Sequence, residues 1–245
     1  GPNLDMRVIE FADAGELLGI LLPRFGRRRC YVVAHSWGSL FGARLVAEYP
    51  ELVTAYIGIG QAADLRATGQ TLYDFALDSA RRDGNTKAVA ALQRIDRPPH
   101  SMEKHEPMDR WVNYYAEREH PSPSRWGMAG LALESPAYSW ADLVRIPLGV
   151  RYSFEKLWEE IFYRVNLFQE VPRLEVPVYF FLGRYDRVIS ATVAQRYFDA
   201  LEAPQGKQII WFEKSGHWPH FEEAAKYREA VRRVRDETQK RNDEQ

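Results

Sequence analysis

The chain has 245 residues, 45% of them hydrophobic and 13% aromatic, enough to bury a sizeable core in one large domain or a domain carrying an insertion. A formal net charge of −1 supplies no basic field for nucleic acid or an anionic membrane, and no apolar run approaches the ~20 residues that span a bilayer. The single cysteine, Cys30, excludes an internal disulfide and favours a reducing, cytoplasmic setting.

The apolar spacing predicts a helix from Met6 to about Phe25, ending near Pro23 and Gly26. Arg27, Arg28 and Arg29 read as a solvated loop after it, where cations suit the helix dipole. A short strand over 30–34 and a helix over 37–49 follow, the helix stopped by Pro50, and Val53–Ile59 forms a second buried strand. Continuous apolar strands alternating with helices imply a parallel sheet covered on both faces, an α/β fold. From about Ala62 to Pro172 no buried strand stands out. Helical periodicity is found instead at 72–82, 86–95, 108–118, 140–146 and 154–168, punctuated by prolines 98, 99, 107, 121, 123, 136 and 147. This stretch is expected to be an all-helical cap inserted above the carboxyl ends of the strands, its many aromatics (Trp126 and Trp158 among them) forming its own core or lining a pocket. Strands over 178–182 and 208–212, with a helix over 191–200 between them, resume the sheet. A terminal helix begins near Phe221, and its polar tail beyond Arg235 is expected to fray. The division is therefore 1–61, 62–172 and 173–245.

One turn carries the most chemical information. Ala34-His35-Ser36-Trp37-Gly38 places a serine between a hydrophobic strand and a helix whose Gly38, Ser39, Gly42 and Ala43 allow close packing. This is the strand-turn-helix pattern of a nucleophile elbow, G-x-S-x-G with Ala34 in place of the first glycine. Such a turn presents the Ser36 hydroxyl at the carboxyl end of the strand. The strand over 178–182 runs into Gly183-Arg184-Tyr185-Asp186, and that over 208–212 leads to Ser215-Gly216-His217, so a carboxylate and an imidazole each follow a strand. A serine hydroxyl is a weak nucleophile until a base takes its proton. His217 titrates in the right range, and Asp186 would orient it and stabilise its imidazolium. The backbone N–H of Trp37, next after the nucleophile, is the candidate oxyanion donor.

With the order Ser, Asp, His in hand, the chain resembles the α/β-hydrolases, and most of all their prolyl aminopeptidase-like branch. The likeness is carried by Asp13 to Leu18, Ala34 to Ser39, Tyr49-Pro50-Glu51, Ala55 to Gln61, Gly183 to Asp186 and Ser215 to His217. It implies a serine hydrolase cleaving a small ester, amide or amino-terminal peptide bond of a small-molecule or peptide substrate. No cofactor, metal, nucleic acid or membrane is required. It also implies acidic cap residues that hold a substrate amine, for which Glu155, Glu159 and Glu160 are candidates. The family begins with several strands before the elbow, and a loop after the third completes the oxyanion hole. Here the elbow strand comes directly after one helix, so roughly 100 residues of the fold, at about 30 per strand-helix-strand unit, are expected to be absent. Gly1-Pro2 resembles a scar of tag removal. The chain is thus expected to be the carboxyl-terminal portion of the fold, a poor catalyst by itself, its elbow strand open to pairing with a second chain or another copy. The alternative reading is a non-catalytic binding or assembly module built on the same fold.

Three weaker signals compete. Gly58-Ile59-Gly60 lacks the third glycine of a dinucleotide loop. Asp64, after the strand that follows the elbow, is a second candidate for the acid. His217 with His220, or His100 with His105, has no further ligands to complete a metal site.

Overall fold

The computed structural model describes residues 6–98, 101–121 and 135–243. Gly1, Pro2, Pro99, His100, Pro123 and Trp126, singled out above, lie outside these, as does the side chain of Glu160. The described chain divides into two units: residues 1–63 with 166–245, and residues 64–165. The stretch 166–172, grouped with the inserted helices by sequence, belongs to the first.

The first unit is built on four parallel strands in spatial order β1 (Cys30–His35), β2 (Val53–Ile59), β3 (Val178–Gly183) and β4 (Lys207–Phe212). Helices α1 (Met6–Arg24) and α2 (Gly38–Glu48) come before β2. Helix α7 (Ala191–Ala200) joins β3 to β4, and α8 (Ala224–Asp243) closes the chain; α3 to α6 belong to the second unit. Alternation along the strands sorts their side chains to two faces. Ala55, Ile57, Ile59, Tyr179, Phe181 and Phe212 form one buried cluster with Ala230 and Val234 of α8. On the other face the Phe180 ring meets Tyr197 and Phe198 of α7 at 6.0 and 5.5 Å. Both faces of β2 and β3 are therefore covered, which is why these strands read as unbroken apolar runs.

Two close approaches fix the frame. A Cβ on Gly42 of α2 would come within 2.6 Å of the Ala34 Cβ, so the methyl replacing the elbow's first glycine sits against the helix that Gly42 makes narrow enough to receive it. Where β3 ends, a Cβ on Gly183 would overlap the carbonyl oxygen of Gly216, in the loop after β4. Glycine is the one residue that lets those two loops touch.

The second unit comprises α3 (Leu65–Arg82), α4 (Thr86–Ile95), α5 (Met102–Glu119) and α6 (Trp140–Glu159). Leu72, Tyr73, Ala76, Leu92, Met108 and Val112 form the cluster that joins the first three. Asp64 and Asn85 cap α3 and α4 by accepting from Ala67 N and Ala88 N at 2.9 and 3.0 Å.

Several boundaries differ from those expected. Helix α3 begins seven residues before 72, at the Asp64 cap. Proline 107 lies inside α5 instead of ending a segment, because buried Met108, Val112 and Tyr115 hold that helix in its cluster against proline's low propensity. Proline 147 lies inside α6. The single helix expected over 154–168 is instead the end of α6, a π-helical stretch over Glu160–Arg164 and a separate turn over Leu167–Glu170. Asn166 starts that turn by accepting from Phe168 N at 3.0 Å, a capping signal the apolar pattern masks. The tail beyond Arg235 stays helical to Asp243. Thr238 is the reason: it is 1% exposed, and its Oγ1 meets the Tyr31 hydroxyl of β1 at 2.9 Å.

Gly183→Ala is expected to force the loops after β3 and β4 apart and to lower stability by about 1–3 kcal/mol. Urea unfolding measures this; an unchanged midpoint would contradict the close packing of those loops.

Candidate active site

Three of the four strands end in a residue of the site. After β1 the chain reverses sharply at Ser36, whose φ of 59° lies in the left-handed region that non-glycine residues rarely occupy. Such a conformation costs of order 1–3 kcal/mol and persists only when its surroundings fix it. Here they do. The Ser36 N–H donates to Ile59 O at 2.9 Å, and its carbonyl accepts from the Ser39 N–H at 2.9 Å and the Ser39 hydroxyl at 2.5 Å. Ser39 Oγ in turn accepts from Ala62 N at 2.8 Å, while the Tyr56 hydroxyl lies 2.7 Å from Gln61 Oε1 and 3.0 Å from Ser39 O. Ser39, Tyr56 and Gln61 are all fully buried, so this polar network joins the elbow to the end of β2 with no water in competition. Burial also pushes the Tyr56 phenol well above its ordinary pKa, which keeps it a neutral donor.

The loops after β3 and β4 are tied to each other. Arg184 N donates to Phe212 O and Tyr185 N to Ser215 O, both at 3.0 Å. The Arg184 guanidinium grips Glu213 through two 2.8 Å hydrogen bonds and lies 4.0 Å over the Trp211 ring. Asp186 Oδ1 accepts from the N–H groups of Val188 and Ile189 at 2.9 Å, leaving Oδ2 to face His217. The His217 loop is held from its other side by Glu222, which accepts from Gly216 N and Trp218 N at 2.9 and 3.0 Å, and by Glu223, which accepts from Ser215 Oγ at 2.7 Å.

The three candidate residues lie in one hydrogen-bonded line. His217 Nδ1 is 2.8 Å from Asp186 Oδ2, and His217 Nε2 is 2.8 Å from Ser36 Oγ. A carboxylate accepts, so Nδ1 carries the proton and Nε2 is left to accept the Ser36 hydroxyl. Asp186 and His217 are 3% and 4% exposed, whereas the elbow residue Trp37 is 48% exposed. The Trp37 N–H stands at the amino end of α2, among the first N–H groups of a helix, which find no partner within it.

Other candidates lie elsewhere. The Asp64 side chain caps α3 in the second unit. Glu155 and Glu159 are exposed on α6, and Arg151 on the same helix holds Glu155 at 2.9 Å. Among the described residues no group of three or more His, Cys, Asp or Glu side chains is arranged to hold a metal ion, and no helix is long and apolar enough to cross a membrane.

Sequence reasoning missed His35. Its ring lies 4.6 Å from that of His217, 4.7 Å from Trp218 and 5.1 Å from His220, and its Nε2 is 2.9 Å from His217 O. Its pKa is lowered from 6.5 to about 4, chiefly by burial and then by the neighbouring His217 and His220, against the opposing effects of the hydrogen bond to the His217 backbone and of Asp186. The signal was its place beside the serine, which the motif treats as a free position.

A family model described as alpha/beta hydrolase fold matches residues 5–224. The probable aminopeptidase YbaC of Bacillus subtilis (strain 168) is 28% identical over 219 residues, covering 87% of this chain and 67% of its own length. Among solved structures, proline iminopeptidase from Mycobacterium smegmatis superposes with a TM-score of 0.53 at 18% identity, over 89% of this chain and 68% of that one. An alpha/beta fold family hydrolase from Bacillus anthracis str. Sterne gives 0.51 at 16% identity, over 91% and 73%.

Because the folded state disfavours protonated His35, the unfolded chain binds more protons between the folded value of about 4 and the ordinary 6.5. The stability His35 confers is thus complete above pH 6.5 and is lost as pH falls towards 4. Thermal unfolding across that window is expected to show a steeper decline for the parent than for His35→Gln. Asp64→Ala is expected to cost about 1 kcal/mol by removing the cap of α3, seen in urea unfolding, while Ser36 reacts with a fluorophosphonate at the parent rate.

Proposed function

Because the chain belongs to the alpha/beta hydrolase fold family, we propose that it is a serine hydrolase acting on a small ester, amide or amino-terminal peptide bond through Ser36, His217 and Asp186. The observation that carries this reading is the pair of 2.8 Å contacts that link a left-handed Ser36 to His217 and His217 to Asp186.

In this reading His217 Nε2 takes the Ser36 proton as Oγ bonds to the substrate carbonyl carbon, and the carbonyl π electrons move onto oxygen. The resulting oxyanion accepts from the Trp37 N–H. Asp186 keeps the proton on Nδ1 and stabilises the imidazolium. Collapse of the tetrahedral intermediate expels the leaving alcohol or amine, which takes the proton from His217. Water then attacks the acyl-enzyme, again losing its proton to His217, and the acid is released with Ser36 restored. The aminopeptidase form of the proposal draws on the name of the 28% identical relative; peptides with an amino-terminal proline are the first substrates to try. A receptor for the substrate amine is not assigned to Glu155, whose carboxylate Arg151 already engages.

A fluorophosphonate is expected to label the parent at Ser36, and Ser36→Ala is expected to abolish labelling. Hydrolysis of p-nitrophenyl acetate should fall on the order of 10⁴-fold in Asp186→Asn and at least as far in Ser36→Ala. Equal labelling of the parent and Ser36→Ala would refute the assignment. A parent that takes no label would favour the non-catalytic module.

A further inference from the structure

We propose that His35 is a positioning residue: the Nε2–H it donates to the carbonyl of His217 ties the loop that carries the base to the elbow that carries the nucleophile. The inference rests on the roles of Ser36 and His217 proposed above.

A carbonyl oxygen only accepts, so the 2.9 Å contact fixes the proton of His35 on Nε2. That single bond joins the residue immediately before Ser36 to the backbone of His217 itself, 182 positions away in sequence. The rest of the His217 loop is held by the chain that follows it: Glu222 takes the N–H groups on either side of residue 217, and Glu223 takes the Ser215 hydroxyl. Beside the His217 Nε2–Ser36 Oγ contact and the packing of the His35 ring on His217 and Trp218, the His35 bond is a directional tie between elbow and loop. It therefore acts, together with the sheet and the interlocked loops after β3 and β4, on the separation across which the proton moves.

The chemistry of the site also explains why a neutral donor suits this place. When His217 becomes an imidazolium, a cationic neighbour 4.6 Å away would oppose it. The charged and titratable groups that face His35 are His217, His220 and Asp186, and burial with the first two keeps its ring uncharged near neutral pH. His35 thus supplies a hydrogen bond without a competing charge. Packing on Trp218 at 4.7 Å restrains the ring, so the donor is aimed before any substrate arrives.

The test compares His35→Gln, whose side-chain N–H stands near the position of Nε2, with His35→Phe, which keeps a ring but has no donor. The readouts are the second-order rate of fluorophosphonate labelling, kcat and KM for p-nitrophenyl acetate, and thermal unfolding. A misplacement of the order of 1 Å costs about 10²-fold, so His35→Phe is expected to label and turn over about 10–100-fold more slowly, with KM nearly unchanged. His35→Gln is expected to recover most of the loss. If His35→Phe labels at the parent rate while the parent labels at Ser36, the inference fails and the catalytic reading stands. Should His35→Gln fall as far as His35→Phe with unfolding like the parent's, ring packing and not the N–H matters, and the inference again fails. Failure of the parent to label at Ser36 would overturn both.

Discussion

Ser36 adopts a backbone conformation that it would not choose unaided, with φ at 59°, and the rest of the site is arranged around keeping it there. The strain lifts the side chain out of the line of β1, and the first residues of α2 follow at once. Ser39 is central to this. Its hydroxyl closes the turn on Ser36 O and accepts the Ala62 N–H, and the Ser39 carbonyl accepts from the Tyr56 and Gln61 side chains. Fully buried polar groups are costly when unpaired, so every partner in this network penalises relaxation of the turn. Backbone strain of order 1–3 kcal/mol is offset by hydrogen bonds that would be lost together if it were released.

A parallel sheet converts that local constraint into a site. Each strand delivers its carboxyl end to the same edge, so residues 36, 186 and 217 meet although the sequence separates them by 181 positions between first and last. The meeting also needs the loops after β3 and β4 to interlock, and Gly183 makes room for the Gly216 backbone. Arg184 and Glu213 fasten the same two loops at the surface, where an exposed ion pair contributes little by itself. Their bidentate geometry over Trp211 serves mainly to hold direction.

How much of this was legible in the sequence follows from where each signal arises. β2 could be read to the residue because a strand buried on both faces is apolar throughout and ends where turn residues begin. Helix 191–200 was legible for a similar reason, with Ser190 as its cap accepting from Val193 N at 3.3 Å. Ser36, Asp186 and His217 were legible because each follows an apolar strand by a few residues at most. The helices between residues 64 and 170 were harder. Their limits depend on side-chain caps at Asp64 and Asn166 and on contacts that keep Pro107 within a helix, none of which a hydrophobic period records. The polar end of α8 was misjudged because it is held by a hydrogen bond between Thr238 and Tyr31, residues 207 positions apart in sequence. His35 was invisible because its contact with the His217 loop is a bond to a backbone atom, and backbone carbonyls carry no sequence signature.

That last case bears on how such a site divides its work. Asp186 and His35 both address His217, but from opposite ends and in different ways. Asp186 takes the Nδ1–H and so sets the tautomer, and in the proposed reaction it supports the charge that develops on the ring. His35 takes hold of the main chain and leaves the ring's electronics alone. A second acid in the place of His35 would raise the basicity of His217 and weaken its release of the proton to the leaving group, and a cation would depress it. A neutral imidazole does neither, since burial disfavours its protonated form. His35 can therefore pack its ring within 5.1 Å of both His217 and His220 without bringing a charge of its own. Burial lowers the pKa of His220 as well, with His217 acting in the same direction. His35 and His220 are thus both disfavoured as cations, while the His217 ring has the Asp186 carboxylate against its Nδ1.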